Sequence, residues 1–218
     1  MNKMQARLDT PEPEIVRPND EAIARAAELI RQGRIVAIPT ETVYGLAVDA
    51  ANEKAVQALY VAKGRPKEKP FVVQFGSVAA AKEWGGFTGV AATLAEAFWP
   101  GPLTLIVRKP DNVTLASRIT AGGDTIGIRV PDNEIALALL QAAGKPLAVT
   151  SANLSGEPGA RSVAEIAPAL REHLALILDG GESPIGVAST VLDVTGDERR
   201  ILRQGTLSAE DIEKALAS

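Results

Sequence analysis

Short apolar runs alternate along this chain with segments of helical periodicity, and most junctions carry a cap or a breaker. That alternation restricts the fold more than any other feature. Arg34-Ile35-Val36-Ala37-Ile38-Pro39 reads as a strand closed by proline, and Phe71–Phe75, Leu103–Val107, Leu147–Thr150 and Leu174–Leu178 read as further strands. Thr125–Val130 alternates cleanly, with Ile126, Ile128 and Val130 on the core face and Thr125, Gly127 and Arg129 on the other. Two more short strands are predicted at Ser189–Val194 and Arg200–Arg203. Between them, Asn19 or Asp20 caps a helix that ends at Gly33, and its apolar residues Ile23, Ala26, Ala27 and Ile30 recur at helical spacing. Asn52 caps a helix with a buried stripe of Val56, Leu59 and Tyr60, and Gly64 ends it. Another helix runs from Thr88 or Gly89 to Trp99, stopped by Pro100-Gly101-Pro102, and another from Asp132 or Asn133 to Gly144. Ser162 with Glu165 reads as the capping box of one more, and Ser208 with Asp211 starts a terminal helix. The pattern predicts an α/β fold, one mixed sheet with helices packed on it.

Residues 1–18 are polar and contain proline, and are read as a flexible lead; residues 19–218 are read as a single domain without linker or repeat. The basic N-terminus has no apolar run behind it and no segment has the length of a membrane span, so the expected compartment is the cytoplasm. The chain has no cysteine, which excludes disulfides, iron–sulfur clusters and thiolate zinc sites. It has one histidine, His173, at an expected solvated helix end, so catalytic triads and multi-histidine metal sites have little to stand on. The net charge is −4, so any anion site must be a local concentration of Lys and Arg.

Five polar clusters are candidates, most of them at or beside strand ends, where α/β sheets commonly bind ligands. Lys63-Gly64-Arg65-Pro66-Lys67-Glu68-Lys69-Pro70 combines a turn-forming glycine with cations suited to phosphate or carboxylate, although a solvated basic loop at a helix C-terminus would look the same. Ser151-x-Asn153 with Ser155 and Gly156 follows an apolar strand and suits a sugar or a phosphate, or an ordinary turn. Arg129 shares a sheet face with Thr125, and a buried arginine there needs an anion, solvent or a structural carboxylate. Thr40-Glu41-Thr42-Val43-Tyr44-Gly45 and Ser189-Thr190 with Arg203 complete the set, each also readable as a plain turn or strand edge. Walker-A and strand–G-x-G-x-x-G–helix motifs are missing, so a nucleotide would be held by another device.

The ordered stretches PTETVYGLAVDA, KGRPKEKPF, FWPGPLTLIV, TIGIRVPDN, VTSANLSGEP and STVLDV…ILRQG span Pro39 to Gly205 and closely resemble the threonylcarbamoyl-AMP synthase family, with its YrdC-like domain. The resemblance implies a twisted mixed sheet with flanking helices and an open central cavity. It implies a nucleotidyltransferase that forms threonylcarbamoyl-AMP and pyrophosphate from L-threonine, bicarbonate and ATP, with Mg²⁺ accompanying ATP. The product feeds threonylcarbamoyladenosine modification of tRNA beside the anticodon by partner transfer proteins, and tRNA or double-stranded RNA is a further candidate partner. By the same resemblance, Lys63 and Arg65 are the expected catalytic and phosphate-holding pair. Lys69, Thr125, Ser151, Asn153 and Arg203 are expected at ATP, and Thr40, Thr42, Gln74, Arg129 and Ser189 at threonine, with Arg129 taking the carboxylate. No metal-binding residue is expected.

The chain departs from some relatives at Gln74, where they have histidine, and at Lys69, where they have asparagine. It stops soon after Arg203 and so reads as the short, single-domain type. The alternatives are a carbamoyl-adenylate former of the hydrogenase-maturation kind, a non-catalytic double-stranded RNA-binding module, and an inactive paralogue.

Overall fold

The computed structural model describes residues 12–84 and 87–217. In chain order the strands are β1 (Glu14–Val16), β2 (Ile35–Ile38), β3 (Gly45–Asp49), β4 (Val72–Gln74), β5 (Leu103–Arg108), β6 (Thr125–Arg129), β7 (Leu147–Ser151), β8 (Leu174–Leu178), β9 (Thr190–Asp193) and β10 (Arg200–Arg203). The helices are α1 (Asp20–Arg31), α2 (Glu53–Lys63), α3 (Val78–Glu83), α4 (Val90–Phe98), α5 (Glu134–Ala143), α6 (Pro168–Arg171) and α7 (Ala209–Leu216).

The caps lie where the sequence placed them, because each closes a backbone donor left open at a helix start. Asn19, Asn52 and Asn133 accept from the amides of Ala22, Ala55 and Ala136 at 2.8, 3.1 and 3.0 Å. Ser208 and Asp211 form the capping box of α7. Gly64 ends α2 in the left-handed region at φ 57, a conformation that other residues enter only at a cost. The Ser162 box does not form. Val163–Glu165 is a 3-10 turn, and Glu165 accepts instead from the Arg161 amide at 2.7 Å. Pro168 forces Ala167 into an extended conformation (ψ 138), so a longer helix cannot run through it.

All strands join one open sheet in the order β1-β8-β2-β3-β7-β4-β6-β5-β9-β10. It is mixed: β1–β8, β2–β8, β4–β6 and β5–β9 are parallel, and the remaining pairs antiparallel. α1 and α5 cover one face over Val36, Ile38, Ala47, Val149, Leu176 and Leu178. A second cluster, with Val56, Leu59, Phe71, Leu94 and Leu105, packs around α2, α4 and α6.

Three further elements differ from the sequence reading, among them α3, a short helix capped by Ser77 that was not predicted. β3 carries no polar–apolar alternation because every one of its residues is buried between β2 and β7. The expected flexible lead is ordered from Glu14 to Val16, which pairs with β8, and Val16 O accepts from the Asp179 amide at 2.8 Å; its residues 1–11 lie outside the described residues. Among the described residues no helix is long and apolar enough to cross a membrane.

Candidate active site

A cleft opens on the sheet where β3, β7, β4, β6 and β5 lie side by side, with β9 and β10 at one flank. Thr40, Thr42, Arg65, Gln74, Arg129, Ser151, Ser189 and Arg203 line it, so most of the predicted site residues meet there from distant parts of the chain. Gly45, Val72, Thr104 and Val149 also line it, and Tyr44 adds its side.

The loop after β2 is built by its own hydroxyls. Thr40 Oγ1 donates to Val43 O at 2.6 Å and contacts Thr42 Oγ1 at 2.9 Å, a local turn device available to threonine. The loop after β8 is tied to this one, since the Ile185 and Gly186 amides donate to Glu41 O and Thr42 O at 3.0 and 2.8 Å. The Tyr44 hydroxyl donates to Gly181 O at 2.7 Å. Burial first, and the charge of Asp179 second, push its pKa up to about 12.

Arg65, Arg129 and Arg203 are fixed in the same manner. Arg65 Nε and Nη2 donate to Lys69 O and Pro70 O at 3.1 and 2.8 Å, and its guanidinium lies 5.0 Å from the centre of the Phe71 ring. Arg203 Nε and Nη2 donate to Ser189 O at 3.1 and 2.9 Å, and Nη2 also reaches Ser189 Oγ. Arg129 Nε donates to Gly101 O at 3.1 Å, while Nη2 donates to Glu41 Oε1 at 2.7 Å and Thr42 Oγ1 at 3.0 Å. In each case Nη1 makes no hydrogen bond among the described residues. A planar fork held by two of its nitrogens presents the third in a fixed direction.

Burial lowers the pKa of all three guanidinium groups, and Arg203 is pushed further by the charges of Arg129 and Arg65. Three guanidinium groups lining one cleft make it electropositive. Its one carboxylate neighbour in the hydrogen-bond pattern is Glu41, 6% exposed and bonded to Arg129. Sequence reasoning left the Arg129 partner open between an anion and a structural carboxylate; Glu41 is that carboxylate, while Nη1 still lacks a protein partner among the described residues. Glu41 Oε2 and Gln74 Oε1 are buried and accept no hydrogen bond among the described residues.

Several expected residues do not line the cleft. Lys63 is buried at 1% exposure, and its ammonium donates to Ser151 O and to Asn153 O, the latter at 2.6 Å. Asn153 turns its amide nitrogen to Leu154 O and Glu157 O at 2.7 and 2.8 Å. Lys69 is exposed, contributing its carbonyl to Tyr60 and Arg65. Thr125 stands at the far end of β6 from Arg129, opposite Arg108. Thr104 was missed. Its hydroxyl lies 2.8 Å from Ser189 Oγ, at 0% exposure. A hydroxyl inside the apolar run LTLIV is the only signal that could have found it. Glu41 was named only within its cluster; the signal for it was a carboxylate between two threonines after a strand end.

Among the described residues no group of three His, Cys, Asp or Glu side chains could hold a metal ion, and the buried Glu41 carboxylate already serves Arg129. These residues do not form a Mg²⁺ cage.

The Sua5/YciO/YrdC family model, described as telomere recombination, matches residues 28–205. The chain is 45% identical over 200 residues to a threonylcarbamoyl-AMP synthase of Bacillus subtilis, covering 91% of this chain and 57% of the relative. It thus spans little more than half the length of that relative. A crystal structure of Pyrococcus abyssi Sua5 complexed with L-threonine superposes with a TM-score of 0.85 at 41% identity, covering 93% of this chain and 59% of the other. The structure of Escherichia coli YciO superposes with a TM-score of 0.79 at 28% identity, covering 91% of this chain and 98% of the other.

Proposed function

Because the chain belongs to the Sua5/YciO/YrdC family, we propose that it catalyses the reaction named for its Bacillus subtilis relative, forming threonylcarbamoyl-AMP and pyrophosphate from L-threonine, bicarbonate and ATP. The observation that carries this reading is the set of Arg65, Arg129 and Arg203 around one cleft, each with an unpartnered Nη1 among the described residues, and with Glu41 on Arg129 as the one carboxylate among their hydrogen-bond partners. Such a cleft favours a ligand with several negative charges, as a triphosphate beside an amino-acid carboxylate would be.

In this mechanism the threonine amine adds to bicarbonate and loses water, giving an N-carboxylate. One oxygen of that carboxylate attacks the α-phosphorus of ATP, and the bond to the β-phosphate oxygen breaks as pyrophosphate leaves. Arg65 and Arg203 stabilise charge on the phosphates, and Arg129 with Thr42 orients the threonine carboxylate. Ser189, Thr104 and Gln74 offer hydrogen bonds to the rest of the amino acid. The protein mainly positions the reactants, which is worth several kcal/mol in favourable cases, about 7–11 at most. Mg²⁺ is assigned to ATP as part of the substrate, since such ions are commonly held through phosphates. The product is suited to tRNA threonylcarbamoylation by other proteins.

The test is pyrophosphate release with and without L-threonine and bicarbonate. Release that requires both supports the proposal. Release from ATP alone, or none under any condition, overturns it.

A further inference from the structure

The basic turn at the end of α2 divides its work between two sides of the backbone. Gly64 turns the chain in the left-handed region, and after it Arg65 reaches the cleft. Lys63, on the last turn of α2, points the other way into the protein and is 1% exposed. Its Nζ donates to Ser151 O and Asn153 O, and its own carbonyl accepts from the Ser155 amide at 3.0 Å. Both ends of Lys63 therefore fasten the end of β7 and the loop that leaves it, and Ser151, at that end, lines the cleft. No carboxylate pairs with Lys63 among the described ion pairs.

We propose that Lys63 is a positioning residue, which holds the Ser151–Asn153 loop in place and does not itself bind the triphosphate. The inference rests on the nucleotide reading above. An ammonium has three donors, and two of them are committed to backbone carbonyls here. The third is enclosed with the side chain, which is 1% exposed and does not line the cleft, and turning Nζ toward a phosphate would take donors from those buried carbonyls, which is costly. Burial and the neighbouring Arg65 also lower its pKa to about 7. A neutral amine keeps two donors and can hold both carbonyls, whereas it would be a poor phosphate ligand. The loop has one further mark of a ligand site: Asn153 Oδ1 is buried and accepts no hydrogen bond among the described residues.

The experiment compares equilibrium binding of AMP and ATP by wild type, Lys63→Met, Lys63→Gln and Arg65→Ala. Wild type must bind ATP for the nucleotide reading to stand, and failure there rejects that reading separately. A positioning role predicts that Lys63→Met weakens AMP and ATP by the same factor, about tenfold or more for lost hydrogen bonds of this kind. Lys63→Gln, a neutral donor, recovers part of the loss. Arg65→Ala shows the opposite pattern, with a loss that grows from AMP to ATP. If the loss in Lys63→Met also grows with phosphate number, and Lys63→Gln does no better, the inference is wrong. Should neither variant fold, the Lys63 side-chain nitrogen resonance of wild type decides: a signal unmoved by ATP supports the inference, and one shifted by ATP more than by AMP refutes it.

Discussion

Arg129 shows what a single buried charge demands. Its guanidinium and the Glu41 carboxylate are side chains 6% and 8% exposed, 2.7 Å apart, so each is tolerated because the other is present. Arg129→Met strands the Glu41 carboxylate and is expected to lower the unfolding free energy by about 3–5 kcal/mol, read by urea denaturation. The double variant Arg129→Met with Glu41→Leu should recover most of that stability and none of the activity. Lys63 makes a prediction with a pH sign. In the unfolded chain it titrates near the ordinary lysine value of 10.5, and in the fold near 7. Below about 7 the folded protein bears a buried ammonium, and the cost is fully present. As the pH rises from there towards 10.5 the unfolded state binds more protons than the folded one, so stability rises. The stability of wild type relative to Lys63→Met should therefore grow between pH 7 and pH 10, measured by denaturant unfolding, with 7 and 10.5 as the bounds of that window.

At the scale of elements, β10 owes its role to an irregularity. The pairing of β9 with β10 shifts between Ile201 and Arg203, so Leu202 is the extra residue and stands 59% exposed. Bulges redirect the side chains that follow them. Here the bulge brings Arg203 against Ser189 and into the cleft. Arg203→Met removes the guanidinium that the bulge sets against Ser189 while leaving the pairing of the strand intact. The expected outcome is a folded protein with sharply weaker ATP binding, read by calorimetry alongside far-UV circular dichroism. Such an irregularity is not visible in the sequence, where RILR is an unremarkable strand. Capped helices and alternating or proline-closed strands were legible, since Asn52, Gly64 and the 125–130 alternation are local signals. β3 was not, because a strand buried on both faces shows no period. The cleft was legible as a set of polar strand ends with Arg65 and Arg129 in it. The inward turn of Lys63 was not, since its partners are backbone carbonyls some ninety residues away, and carbonyls leave no mark in composition.

At the scale of the whole molecule, the net charge is −4 while the cleft gathers Arg65, Arg129 and Arg203. The remaining surface is therefore acidic on balance, and the attraction for a polyanion is local. Added salt should weaken ATP binding even though protein and ligand carry the same sign, since screening shortens to about 3 Å at 1 M. Arg203→Gln should flatten that dependence, and the comparison needs only titrations at several salt concentrations. An affinity indifferent to salt would count against an electrostatic cleft. The sheet order has a consequence for the growing chain as well. β1 is made first, yet its one partner in the sheet, β8, lies about 160 residues later. The cleft likewise needs Thr40 and Thr42 together with Ser189 and Arg203. During translation, then, the sheet's first strand waits unpaired while most of the domain is synthesised, and a ligand can meet a complete pocket only after β10 has emerged. The candidate site is thus closed by the last strand of the sheet to be made.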